Sequence, residues 1–350
     1  MSTYDLLRDL PLEVDGYDLE GLRLQVSSGF ERLTTVVHLH GGDLEGVGED
    51  VVYQAEDHVA LQEAGAIHEL AGSYTLDEFC RHIDSLDLFP VAPKTEVSRL
   101  YRRWTFHSAA LDLALRQAGR PLHDVLGREP SPLTFVVSLR LGDPATIAPV
   151  RRRLDRYPTL RFKLDATTNW TPELFEQLVA TGAVDSIDFK ALYRGTIVDQ
   201  PPDPVLYGRV VEAFPDAWLE DPDVVTPETA AVLAGEHDRI TWDAPIHSIA
   251  DIEALPFAPR MVNLKPSRIG GLERLCAAYD YCAGRGIGAY GGGQFELGPG
   301  RGQAQYLASL FHPETPNDLA PSGYNVDDPP PALGSSPLPP APDTVGFRWG

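Results

Sequence analysis

Apolar and polar positions follow two different rhythms along this chain. Leu22-Arg-Leu-Gln-Val-Ser and Leu33-Thr-Thr-Val-Val-His-Leu-His alternate with period two, as antiparallel strands with one buried face do. Gly41-Gly42 marks a turn, and Gly46-Val-Gly-Glu-Asp-Val-Val-Tyr-Gln reads as a third strand. Helical spacing follows. Thr75 stands where it can cap a helix over 76–83. A longer helix is predicted over 98–118, with a small-residue patch at Ala109-Ala110 and a stop at Gly119 before Pro121. These elements make an α+β unit over residues 1–130.

From Thr134 the rhythm changes. Short apolar runs at 135–141, 160–165, 186–193, 217–221, 240–244, 261–265 and 287–290 alternate with helical stretches. That is the mark of βαβ units and a parallel sheet. The runs recur roughly every 22–32 residues, the length of one βα repeat. Seven units, with a degenerate eighth near 317–319, predict a (β/α)8-type barrel over 131–326 rather than an open sheet. The segment 327–350 carries seven prolines, Pro329 to Pro342, and cannot be barrel helix. It reads as an extended strap that packs back on the cap or barrel, ending at Val345-Gly-Phe-Arg-Trp.

Composition changes this picture little. The 350 residues hold 51 Asp+Glu against 29 Lys+Arg, a formal charge of −22. So acidic a chain is a poor partner for nucleic acid or an anionic membrane. Three cysteines, Cys80, Cys276 and Cys282, make neither a disulfide framework nor a zinc spacing. No apolar run approaches the ~18 residues of a membrane span, and no leader pattern opens the chain. A cytoplasmic location is the expectation.

The chemistry is carried by charges at the ends of the barrel strands. Lys163 and Asp165 end the second, Asp188 and Lys190 lie on the third, Glu220 ends the fourth, Asp243 the fifth and Lys265 the sixth. A barrel interior is packed with apolar side chains, so a charge is tolerated only at the C-terminal mouth, where this fold places its active sites. Like charges brought together there repel by several kcal/mol. Three carboxylates on successive strands, Asp188, Glu220 and Asp243, therefore read as a site for a hard divalent cation, Mg²⁺ or Mn²⁺. The competing reading is that each caps a following helix or pairs with a local base.

With these residues in view, the chain resembles the enolase superfamily in its muconate-cycloisomerase-like (mandelate racemase/muconate lactonizing enzyme) branch. Gly46-Val-Gly-Glu49 resembles the GxGE of the capping domain. Ser108-Ala-Ala-Leu-Asp-Leu-Ala and Gly119-Arg-Pro-Leu-His-Asp-Val-Leu-Gly127 are similar to the helix that leads into the barrel. Trp218-Leu-Glu-Asp-Pro222 is similar to the fourth-strand metal motif, and Asn263-Leu-Lys-Pro-Ser-Arg-Ile-Gly-Gly271 to the sixth-strand lysine motif. The resemblance implies an α/β fold, a modified (β/α)8-type (TIM-like) barrel with an N-terminal α+β capping domain. It implies Mg²⁺ on Asp188, Glu220 and Asp243, a small-molecule carboxylate substrate, and removal of the proton α to that carboxylate through an enediolate. Members of the family often assemble, so a homo-oligomer is an expectation.

The chain departs from the family pattern at two strand ends. The second strand usually ends in Lys-x-Lys and here reads Lys163-Leu-Asp165; the third usually carries Asp-x-Asn and here reads Asp188-Phe-Lys190. Either Lys190 and Asp165 pair at the mouth and keep the local charge constant, or the two-base arrangement is gone and Lys265 works alone. Both favour a one-base outcome, elimination of water (a dehydratase-type lyase) or cycloisomerisation, over epimerisation. Lys265 is then the leading base, with Lys163 and Lys190 as stabilisers or the alternate acid. The other outcome is a metal- and carboxylate-binding protein whose turnover is lost or altered because the second lysine of the motif is Asp165. The Gly291–Gly293 turn is a candidate anion cradle or a tight βα turn. The loop Ser27-Ser-Gly-Phe-Glu-Arg32 offers Phe30 and Arg32 as specificity candidates.

Overall fold

The structure is a computed structural model, and it describes residues 1–26, 29–196 and 198–350. Ser27 and Ser28 of the candidate specificity loop lie outside the described residues. Three strands, β2 (Gly16–Gln25), β3 (Glu31–Gly41) and β4 (Leu44–Asp50), form an antiparallel sheet in the order β2-β3-β4. A separate antiparallel pair joins β1 (Pro11–Val14) to β5 (Gly72–Thr75), with Leu12 opposite Tyr74. This pair was not foreseen, because four-residue strands give too short an alternation to stand out. Thr75 does cap the helix Leu76–Asp84, in a reciprocal capping box with Glu78.

The long helix Ser98–Gln117 lies across β3 and β4 with Ala109, Ala110 and Leu113 fully buried. It comes close enough that two glycines of β4 are obligatory. A Cβ at Gly46 would stand 2.2 Å from the Ala109 carbonyl oxygen, and one at Gly48 would stand 2.0 Å from that of Thr105. The helix and strand thus pack backbone against backbone, which the small-residue patch and the GxG spacing together permit.

The second part is a parallel sheet of seven strands in sequential order: β6 (Val137–Leu139), β7 (Phe162–Asp165), β8 (Val184–Asp188), β9 (Trp218–Glu220), β10 (Ile240–Trp242), β11 (Met261–Asn263) and β12 (Gly288–Tyr290). Residues 317–318 close it. Asn317 bridges Phe135 just before β6, and Asp318 bridges Gly292 just after β12, both in parallel. The degenerate eighth strand thus joins the two edges.

Several strands end earlier than the apolar runs predict, and the backbone shows why at two of them. Lys190 has φ +54° and Asp221 has φ +47°, so the chain turns left-handed two residues past β8 and directly after β9. A left-handed residue cannot continue a ladder. The tail is an extended strap. Leu338 bridges Leu133 below the barrel, and Phe347 is fully buried, its amide donating to Asp112 of the long cap helix at 2.7 Å.

The close helix–strand approach makes a direct prediction. Gly48→Ala should cost about 3 kcal/mol of stability by overpacking, read as a lower denaturant midpoint at unchanged slope. A change within 0.5 kcal/mol would show that the two elements can move apart freely.

Candidate functional site at the barrel mouth

Inward-facing residues of adjacent strands collect at the C-terminal end of the sheet. Lys163 is 2% exposed yet fully ionic in its surroundings: its ammonium bonds Glu220 and lies 3.4 Å from Asp188 and 3.3 Å from Asp318. Burial alone would lower its pKa, but Glu220, Asp318 and Asp188 outweigh that and hold it well above the usual lysine value. Lys190 bonds Asp188 and stands 3.6 Å from Asp165. It too is held well above its usual value, Asp165 and Asp188 overcoming the effect of burial. The extra lysine of the third strand and the extra acid of the second therefore lie side by side, and the local charge is kept.

Lys265 sits across the mouth, 2.8 Å from Asp243. Its pKa is lowered, first by burial and then by the nearby Arg268 and Lys163 charges, which outweigh the attraction of Asp243. Asp243 also takes Arg268 at 2.6 Å and the Tyr193 hydroxyl at 2.7 Å. Burial would raise that carboxyl, but Arg268, Lys265 and Lys163 keep it well below its usual range. Gly292 is what lets Lys265 lie there, since a Cβ at residue 292 would come within 2.3 Å of the lysine Cε.

Three charged residues of this cluster, Asp221, Arg268 and Asp318, were not foreseen. Oxygens of Asp188, Glu220 and Asp221 lie within 4.8 Å of one another, a spacing that one cation can span, and among the described residues this is the group of such acids that does so. Asp243 stands outside it. Strict alternation would turn Asp221 away from Glu220, to the outer face of the strand. Its left-handed backbone turns it back in, where it accepts the Asp243 and Ala244 amides at 2.9 and 2.8 Å. Burial, together with Asp243 and Asp188, lifts its pKa to about 7. Glu220 is likewise pushed well up by burial and by Asp188 and Asp243.

The donor set fits a divalent ion. In the linked cluster six carboxylates (Asp165, Asp188, Glu220, Asp221, Asp243, Asp318) meet four cations (Lys163, Lys190, Lys265, Arg268), leaving two negative charges in excess. Buried carboxylates in excess must either take up protons or gather a cation. The ligands are all hard oxygens, which suits Mg²⁺ or Mn²⁺.

One expectation is corrected here, and one pair of alternatives is decided. Arg32 is 1% exposed, and its guanidinium is spent on backbone carbonyls, those of Val51, Val52, Gln294 and Phe295. It ties the cap to the loop after β12 and is not free for a substrate. The glycine-rich turn is no open anion cradle. Gly291 donates to Asn317, Gly293 to the Asp318 carbonyl, and Leu297, Gly298 and Gly300 to the cap residue Glu49. Phe30, by contrast, is partly exposed and stands edge-on to Phe295, with ring centres 5.8 Å apart.

A two-sheet cap over a parallel barrel, with acids and lysines gathered at the barrel mouth, is the fold of the enolase superfamily. A Listeria innocua member of that superfamily superposes with TM-score 0.63 at 19% identity, covering 89% of this chain and 86% of that one. A dipeptide epimerase from Methylococcus capsulatus, complexed with Mg ion, gives 0.65 at 21%, covering 87% and 89%. Within this fold the chain belongs to the family described as domain of unknown function DUF8230, whose N-terminal domain matches residues 5–125 and whose C-terminal domain matches 129–326. Among curated proteins, an o-succinylbenzoate synthase from Geobacillus stearothermophilus is 27% identical over 227 residues. That match takes in 62% of this chain and 58% of the relative's length.

Asp221 gives the site a pH signature. A carboxyl whose folded pKa is raised from 3.8 to about 7 contributes stability that is complete below pH 3.8 and lost as pH rises through 7. Without metal, Asp221→Asn should therefore gain on the wild type progressively between pH 4 and 7, on top of a constant offset for its altered hydrogen bonds. Chemical unfolding of both proteins across that range checks it. A difference that does not vary with pH would remove Asp221 from the charge excess.

Proposed function

We propose that this protein is a Mg²⁺-dependent enzyme that removes the proton α to a substrate carboxylate through an enediolate, as a dehydratase-type lyase or a cycloisomerase. The observation that carries this reading is the excess of two buried negative charges beside a lysine of lowered pKa. Asp188 and Glu220 would hold the cation, with Asp243 as third ligand and Asp221 as the alternative third oxygen. The cation would supply positive charge to the carboxylate end of the substrate, where the enediolate's negative charge accumulates.

The remaining roles follow from the environments of the lysines. Lys265 is the group whose surroundings favour the neutral amine, so it is the base. Lys163 and Lys190 are held protonated, so they stabilise negative charge or deliver a proton to a leaving group. One lysine poised to accept a proton and two held as ammonium ions make a one-base site. That favours elimination or cycloisomerisation over epimerisation, which needs a base on each face. Among the similar proteins, the o-succinylbenzoate synthase fits that outcome and the dipeptide epimerase does not.

A second reading has one observation in its favour. The place of the family's second lysine holds Asp165, whose Oδ1 is buried without a hydrogen-bond partner. On that reading the protein binds metal and carboxylate without turnover.

Incubation with Mg²⁺ and a carboxylate library in D₂O, followed by mass spectrometry, separates the two. The enzyme reading expects α-proton exchange with at least one acid, reduced about 10³-fold in Lys265→Ala with metal binding kept. Bound acids that never exchange would establish the second reading, and exchange that survives Lys265→Ala would move the base to Lys190 or Lys163.

A further inference from the structure

The mouth is not equally closed on all sides. Lys163, Glu220, Asp243 and Lys265 have side chains between 0% and 7% exposed, whereas Lys190, Asp165 and Asp318 have 14%, 15% and 19%. The solvent-facing side therefore lies over β7, β8 and the closing strand. Their neighbour in the ring is β6. Val137, Leu139 and Leu141 are buried at 2%, 7% and 2%, while Ser138 and Arg140 between them are exposed.

Register says where these two residues stand. Ser138 pairs in parallel with Lys163, which points into the barrel toward Glu220 and Asp188. Paired residues of a parallel sheet share a face. Ser138 is therefore on the inner face, and Arg140 lies just past the end of β6, one step beyond the Leu139–Leu164 pair, close enough for its charge to be felt by the Asp165 carboxyl. An exposed arginine on the outside of a protein is ordinary. An exposed arginine just past the C-terminal end of a barrel strand, with its charge felt by Asp165, faces the mouth.

This arginine is also unspent. Among the described residues it makes no ion pair, in a chain with 51 acidic residues, and no side-chain hydrogen bond. Asp165, its nearest carboxylate by register, is drawn instead toward Lys190. The contrast with Arg268 and Arg32 is informative. Both of those are buried and have their guanidinium donors committed to Asp243 or to backbone carbonyls. Arg140 presents a planar fork of five donors, suited to bidentate capture of an oxyanion.

We propose that Arg140 is a substrate-binding residue that takes a second oxyanion, carried at the far end of the substrate from the reacting carboxylate. The substrate is then an acid with two anionic ends, a dicarboxylate or a carboxylate bearing phosphate or phosphonate. The proposal rests on the carboxylate-processing reading of the mouth and narrows its substrate class. Arg140 takes no part in proton transfer; it discriminates between acids that have a distal charge and those that do not.

Calorimetry in Mg²⁺ with three matched series tests it: straight-chain diacids of four to eight carbons, monoacids of the same lengths, and the corresponding ω-phosphono acids. In the wild type at least one diacid or phosphono acid should bind about tenfold more tightly than its monoacid, the worth of one charge-assisted contact. Arg140→Ala and Arg140→Gln should abolish that preference and leave monoacid binding as it was, and Arg140→Lys should restore part of it. The series that shows the preference identifies the distal group. A preference that survives Arg140→Ala, or a wild type with no preference at any length, overturns the proposal. α-Proton exchange measured on the same acids keeps the two claims apart. Exchange without a distal-charge preference removes Arg140's role and leaves the reaction; a preference lost in Arg140→Ala, with no exchange in any acid, does the reverse.

Discussion

The mouth of the barrel depends on one electrostatic constraint: buried carboxylates that outnumber the cations around them. At the short separations found there, each unbalanced pair of like charges costs about 4 kcal/mol even at an effective dielectric of 20. Lys163 is the keystone of this arrangement, since one ammonium serves Glu220, Asp188 and Asp318 at once. Asp243 is balanced separately by Lys265 and Arg268. What is left over falls on Glu220 and Asp221, and their pKa values rise accordingly. A divalent cation beside Asp188, Glu220 and Asp221 would offset that excess.

The fold exists to hold that imbalance in place. The strand ladders end at the mouth residues, so the charged side chains stand on short, well-paired strands whose outer faces are packed against helices. Left-handed turns at Lys190 and Asp221 then aim two further groups at the cluster. Backbone strain of this kind persists only where the surroundings over-determine it, and it concentrates at functional sites. The cap adds a second layer of control. Arg32 and Glu49 reach from the cap sheet to the loop that follows β12, and that loop carries Gly292 against Lys265. The cap is thus wired to the position of Lys265 through one loop.

Much of this was legible in the sequence, and the exceptions have physical causes. Charges at the ends of apolar runs stood out because a barrel interior excludes them, and that marked Lys163, Asp188, Glu220, Asp243 and Lys265. Asp221 was not marked, because a single positive φ reverses the facing that a period of two would assign it. Arg32 looked available because a loop arginine next to a strand gives no sign of how deeply it is buried. Arg268 lay inside a quoted motif, but its pairing with Asp243 spans two strand ends and has no local signature. Arg140 was open to the same reasoning as the other strand-end charges, since it is the one charge in the run at 135–141.

The central claim is that the excess negative charge is a binding site for one divalent cation. Water-proton relaxation during a Mn²⁺ titration of the metal-free protein measures it most directly. The account predicts one saturable site per chain, displaced by Mg²⁺ and lost in Glu220→Gln. No saturable site, or one that persists unchanged in both Glu220→Gln and Asp188→Asn, would contradict it.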